Sequence, residues 1–186
     1  MTPYEHLAVL ISIVLGLGLT QLLMSVHRLE KARGRVQFYW LPLAWAALLF
    51  VSQIEWWWAS FALRTQTVWN FFYFLFILLS PVSLYLAAAF ALPEVEAERD
   101  YDLRAYYYDN RSWFFGVLAA NPALDAVRRA SQGGSWRDFG AWSNVVAAVL
   151  LVSLAVSRRP AHHAAVTLFV AGLFGFFVVS AALQLR

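Results

Sequence analysis

The chain contains no cysteine, and Lys31 is the single lysine among its 14 basic residues. Without cysteine it forms no disulfide framework, no iron–sulfur cluster and no cysteine-ligated zinc site, and it has no thiol nucleophile. Charged residues make up only 13% of the 186 residues, whereas they make up about 25% of an average soluble domain. The chain therefore has too little polar surface to cover a water-soluble fold of this size.

Apolar residues dominate the composition. They account for 61% of the chain, the mean hydropathy is +0.59, and the aromatic residues include 15 Phe, nine Trp and eight Tyr. This composition predicts an integral membrane protein, whose first partner is the lipid bilayer. The net charge of +3 does not indicate a nucleic-acid partner, because the arginines lie at the ends of apolar runs instead of along one face. Glu5 and His6 precede the first run, so we predict no cleaved signal peptide.

Runs of apolar residues predict where the chain crosses the membrane, since a helix needs about 20 of them to cross the hydrocarbon core. We expect a single all-α transmembrane domain over residues 1–186. It is a polytopic helix bundle with six spans at about 4–26, 38–63, 68–92, 113–131, 139–156 and 162–185. An acidic loop at 93–112 and the basic segment after the first span are both expected to be cytoplasmic, which places the N-terminus outside.

The fourth of these spans is ambiguous. Residues 113–131 open with the apolar string WFFGVLAA but then contain Asn121, Pro122 and Asp125. The alternative is five spans, with this segment as a re-entrant or interfacial helix, and that arrangement places more of the arginine and lysine residues inside. We favour six spans because WFFGVLAA would otherwise be poorly buried.

Small residues recur every four positions in the first and last spans. Helices in lipid associate where small side chains let their backbones approach closely. Such ridges occur at Ala8, Ser12, Gly16 and Thr20 and at Ala171 and Gly175. We expect both ridges to pack against neighbouring helices of the same chain, and a homo-oligomer interface is the alternative.

One carboxylate, Glu55, lies inside the second span, where an ionisable group costs about 2.5–3.5 kcal/mol at the bilayer centre. Such groups usually face a partner or a cavity. The directions of the spans place a set of polar residues at the same outer level: Glu5, His6, Gln53, Glu55, Asn121 and Asp125. We predict that this set forms an outward-facing site for a cation, a proton or a small polar ligand. The alternative is that its members are solvated at the membrane edge or make structural hydrogen bonds.

Histidines are the other candidate ligands. His27 and His163 belong to different spans, and a pair of this kind can ligate haem from two sides. Both are expected at the water interface together with His162, where a titrating histidine is commoner than a haem ligand. We therefore predict no cofactor and no metal site. The sequence contains no catalytic motif, so we also predict that the protein is not an enzyme.

The first third of the chain carries a resemblance. The strings YEHLAVLISIVLGLGLTQLL and RVQFYWLPLAWAALLF resemble an uncharacterised family of small multi-pass inner-membrane proteins of bacteria. The resemblance implies a location in the bacterial inner (plasma) membrane, and it carries over no activity and no site residue.

Two functions follow from these observations. The first is a small transporter, channel or ligand sensor that uses the polar site around Glu55. The alternative is a non-catalytic structural or accessory subunit that packs in a homo-oligomer or a larger membrane complex. Neither function involves nucleic acid.

Overall fold

A computed structural model of the chain describes residues 2–66, 69–95, 100–131 and 139–183. These residues contain six helices: α1 (Pro3–Lys31), α2 (Trp40–Ala59), α3 (Phe71–Ala91), α4 (Leu103–Ser131), α5 (Phe139–Val156) and α6 (Pro160–Leu183). They also contain two short strands, β1 (Val36–Gln37) and β2 (Tyr101–Asp102), and two 3-10 turns at Arg33–Arg35 and Ser60–Thr65. The prediction of an all-α helical fold is confirmed.

Side-chain caps explain where three of the helices begin. The Thr2 hydroxyl accepts from the Glu5 N–H while the Glu5 carboxylate accepts from the Thr2 N–H, which forms a capping box before α1. The Asn70 side chain caps α3, and Asp102 Oδ1 accepts from the first N–H groups of α4. Because Asp102 starts a helix, the loop that we expected over 93–112 is helical from Leu103 onward.

Three of the described helices are long and apolar enough to cross a membrane. The first two are α1 and α3. The third is α2 taken together with the 3-10 turn that follows it, over Trp40–Thr65. The apolar parts of α5 and α6 are shorter, at Trp142–Val156 and Pro160–Phe176, and α4 is not apolar enough along its length. Length and composition thus support three of the six expected spans.

The helices run between the same two ends of a bundle. At one end β1 pairs in parallel with β2, with Val36 opposite Tyr101, so the turn after α1 lies beside the segment before α4. We call this the strand end, and the other the opposite end. The Ser112 hydroxyl donates to the Ala155 carbonyl at 3.1 Å, which brings the end of α5 to the strand end as well. Helix α1 packs on α2 and α3, α4 lies between α3 and α5, and α6 contacts α2 and α5.

The buried face of α1 differs from the predicted one. It consists of Leu7, Ile11, Leu15, Gly18, Leu22, Ser25 and Leu29. Ser12, Gly16 and Thr20 of the expected ridge are exposed, and Ala8 is half-buried. The hydroxyls of Ser12 and Thr20 donate back to the carbonyls of their own helix at 2.8 Å. Ser12 also accepts from Trp57 Nε1 of α2 at 3.1 Å, so this member of the ridge contacts a neighbouring helix as expected, but larger aliphatic side chains fill the bundle.

The short ridge of α6 gives the same result. Gly175 is exposed, and open space surrounds the position where its Cβ would lie. Ala171 is half-buried. Both ridges therefore leave at least one small residue on the outside of the described chain.

Candidate functional site

Glu55 lies on α2 with its side chain half-buried. Within the part of the chain that the structure describes, it makes no hydrogen bond and no ion pair, and Asp125 of α4 is the charged group that acts on it. Trp56 beside it is half-buried, while Trp57 and Trp58 are exposed. Glu55 is therefore a carboxylate in an apolar setting without a compensating charge.

Asp125 has the opposite environment. Its carboxylate accepts from Arg128 Nε at 3.0 Å and from Arg129 Nε at 2.7 Å, and it also accepts from the Asn144 amide of α5. The two arginines follow at positions i+3 and i+4 of the same helix, where side chains are neighbours. These contacts compensate the Asp125 charge and join α4 to α5.

Asn121 lies one helical turn before Asp125. Its Nδ2 donates to the Ser80 carbonyl at 3.2 Å and lies 3.4 Å from the Ser83 hydroxyl. Both acceptors belong to α3 and lie on either side of Pro81, which is inside that helix. Asn121 therefore cross-links α3 and α4, a role that corresponds to the structural alternative for this residue.

Gln53 does not join this group. Two residues along a helix correspond to a rotation of about 200°, so Gln53 and Glu55 point to different neighbours. Gln53 is fully buried against α1, where its Oε1 would lie 2.1 Å from a Cβ on Gly18. Neither of its amide atoms has a hydrogen-bond partner among the described residues.

Glu5 and His6 lie outside the group as well. Glu5 is exposed and serves in the capping box of α1, and His6 is exposed in the same first turn. The six polar residues predicted at one level therefore do not all face one another. Asp125 is close enough to act electrostatically on Glu55, and Asn121 lies one turn before Asp125 on α4.

His163 is fully buried, which overturns the expectation of a histidine at the water interface. Its Nε2 lies 3.0 Å from the Ser157 carbonyl, which can only accept, so Nε2 carries the proton. Its Nδ1 then accepts from the Tyr107 hydroxyl at 2.9 Å. Both ring nitrogens are thus engaged, and His27 is exposed on α1, so the two histidines do not form a haem-binding pair.

The three consecutive tyrosines of α4 contact three different sets of partners, and the buried His163 is one of these partners. Tyr106 donates to the carbonyls of Phe90 and Leu92 at the end of α3, while Tyr107 binds His163 and Tyr108 pairs with Tyr39 at 3.2 Å. Burial and the Glu94 carboxylate raise the pKa of Tyr106, so it remains a donor. Adjacent helical positions point about 100° apart, and this spacing was the signal that could have predicted three separate partners.

A small cavity lies beside these tyrosines at the strand end. Its volume is about 10 Å³, and its lining includes Trp45, Tyr107, Asn110 and Phe114. A single water molecule needs about this space. The cavity therefore has room for about one water molecule and is too small for an organic ligand.

The described residues contain no group of three or more His, Asp or Glu side chains that could hold a metal ion. No family model, curated protein or solved structure matches this chain.

Proposed function

We propose that the protein is a six-span integral membrane protein of the bacterial inner membrane that binds a proton or a small cation at Glu55. The observation that carries this proposal is the contrast between Glu55, which has no compensating charge, and Asp125, which has two arginines. An unpaired carboxylate in an apolar setting is costly, and either a proton or a cation removes that cost. The activity is transport or sensing of that ion, without catalysis.

The packing of the less apolar helices supports six spans. Helix α4 has 29 residues, which corresponds to about 43 Å, and α3 and α5 pack along it. Its polar groups Asn121 and Asp125 bond to these neighbours, so the helix can cross a membrane with its polar side covered by protein. The N-terminus is then outside, and the strand end is cytoplasmic.

A cysteine-labelling experiment tests this topology, and the natural absence of cysteine gives a clean background. Single variants Arg33→Cys, Arg64→Cys and Ser131→Cys in inverted and right-side-out vesicles receive a membrane-impermeant maleimide. With six spans, Ser131→Cys reacts from the same side as Arg64→Cys. A reaction from the side of Arg33→Cys supports five spans instead.

Infrared difference spectroscopy in reconstituted membranes tests the role of Glu55. We expect a pH-dependent band of a protonated carboxyl group that shifts when Na⁺ or K⁺ is added and that disappears in Glu55→Gln. The matched control is Glu30→Gln, which removes an exposed carboxylate of the basic segment after α1. If Glu55→Gln and the native protein give the same spectrum at every pH and salt concentration, Glu55 binds neither a proton nor a cation.

A second function, that of an accessory subunit, is favoured by the exposed ridge of α1. Gly16 has open space around the position of a Cβ, and Ser12 and Thr20 lie exposed on either side of it. A second helix could approach this face closely in lipid. Gly16→Leu would then separate the chain from its partner or from its second copy, as measured by the mass of the detergent-solubilised complex, whereas Leu17→Ile would not.

A further inference from the structure

A cluster of positive charges lies at the strand end, where α1 ends and α2 begins. We name Arg28, Lys31 and Arg33 the basic turn. All three side chains are exposed, and Glu30 is the one acidic residue among positions 28–35. The contact between Glu30 and Arg33 is 3.7 Å long, and both side chains are mostly exposed, so it leaves most of the charge of the turn uncompensated.

The backbone of the basic turn is held in place. Leu29 and Ala32 are buried, with exposed fractions of 7% and 5%, so the charged side chains between them point away from the bundle. The Arg35 N–H donates to the Ala32 carbonyl at 2.8 Å, and the next two residues pair with β2. The turn therefore presents its charges from a fixed backbone, which lowers the entropy cost of binding.

Apolar surface adjoins the basic turn on both sides along the chain. Leu23 and Met24 of α1 have exposed fractions of 58% and 46%. After the turn, Phe38 and Trp40 have exposed fractions of 74% and 38%. Positive charge between two exposed apolar surfaces matches a phospholipid, in which a charged headgroup adjoins acyl chains.

Asp102, the acidic residue of the strand pairing, does not neutralise this charge. Asp102 lies opposite Gln37 in the strand pairing, but its Oδ1 accepts from two N–H groups at the start of α4. Within the described part of the chain, Arg28 and Lys31 form no ion pair. They therefore remain able to bind an external anion.

We infer that the basic turn binds the headgroup of an anionic phospholipid, with the acyl chains lying along the exposed apolar residues that adjoin it. This inference does not depend on the role of Glu55. It predicts a lipid preference that is set by charge, falls with ionic strength and is confined to this turn.

Native mass spectrometry of the purified full chain in detergent, titrated with phosphatidylglycerol or phosphatidylcholine, tests the inference. We expect the native protein to bind phosphatidylglycerol more tightly. Neutralising each basic side chain near the headgroup lowers this preference by about fivefold. The triple variant Arg28→Gln, Lys31→Gln, Arg33→Gln thus loses about a hundredfold.

Two controls make the result specific. The triple variant Arg64→Gln, Arg158→Gln, Arg159→Gln removes the same charge from exposed positions outside the turn and keeps the preference. Replacing the three residues of the turn by basic ones (Arg28→Lys, Lys31→Arg, Arg33→Lys) also keeps it. The inference is overturned if neutralising the turn leaves the preference unchanged, or if the control triple loses it equally. It is overturned as well if inorganic phosphate displaces the lipid, because the turn would then bind a free anion.

Discussion

The buried polar groups around His163 and the carboxylates around Glu55 differ in how they are paired. Around His163 the polar groups have hydrogen-bond partners: Tyr107 donates to His163, which donates to the Ser157 carbonyl, and that carbonyl also accepts from Arg111 Nε. Around Glu55 the polar groups are charged, and one carboxylate is compensated while the other is not. Paired groups stabilise the fold and specify which helices meet. An unpaired charge does neither, so we assign function to the second region and architecture to the first.

The largest expected effect tests the architectural role of His163. His163→Ala removes the acceptor of the Tyr107 hydroxyl and one of the two donors to the Ser157 carbonyl, the other being Arg111 Nε, and it opens a void among the aromatic rings. We expect the free energy of unfolding to fall by about 2–4 kcal/mol, measured by denaturant titration in detergent micelles. His27→Ala, at an exposed position, is the control and should change stability little. Equal effects in the two variants would contradict the architectural role of His163.

The next effect concerns the close contact between α1 and α2. A methyl group on Gly18 would lie 2.1 Å from Gln53 Oε1, so Gly18→Ala forces the buried amide to move and costs about 1–3 kcal/mol of stability. Gly16→Ala meets open space and removes a flexible residue from a helix, so it should be neutral or slightly stabilising. Thermal unfolding of the two variants side by side measures the difference. If both variants unfold at the same temperature as the native protein, the contact between Gly18 and Gln53 does not limit how closely α1 and α2 pack.

A smaller loss is expected when the compensated carboxylate is changed. Asp125→Asn removes the charge that holds Arg128 and Arg129, but about a quarter of the side chain is exposed, and solvent screens part of the interaction. We expect a loss of about 1–2 kcal/mol in the same denaturant titration. Arg64→Gln, at an exposed site on the 3-10 turn after α2, is the control. If Asp125→Asn is as stable as the native protein, the ion pairs contribute nothing to the fold.

The smallest effect on stability is expected for Glu55→Gln, and it distinguishes Glu55 from Asp125. Glu55→Gln removes a charge that has no partner, so the free energy of unfolding should change by less than about 0.5 kcal/mol or rise. The same variant should abolish proton or cation binding, as measured by the infrared experiment. A large destabilisation by Glu55→Gln would mean that this residue belongs with the architectural group and would remove the basis of the proposed function.

The periodicity of the α-helix predicts part of the arrangement of polar residues around Glu55. A spacing of four residues is typical of one face of a helix, and Asn121 and Asp125 both lie on α4. Asp125 also acts electrostatically on Glu55. The same rule applied to Gln53 would have separated it from Glu55, since residues two apart on a helix face different ways. The predicted layer was based on the depth of each residue in the membrane. Depth does not determine the direction in which a side chain points around the helix axis.

Features that depend on tertiary contacts could not be read from the chain. The burial of His163 requires Tyr107, which is 56 positions away. The exposure of the α1 ridge depends on which face of α1 meets α2 and α3, and small residues alone do not decide that. The start of α4 at Leu103 was missed because the charged residues of 93–112 indicated a cytoplasmic loop, although Asp102 is a good capping residue.

The pairing of β1 with β2 has a consequence for the order in which the bundle assembles. It joins residues about 65 positions apart, so the first three helices must leave the ribosome before the second strand exists. Once Tyr101 pairs with Val36, the chain between these two residues is closed into a loop. The segment that the pairing closes contains α2 and α3, and its two ends are joined where α4 begins.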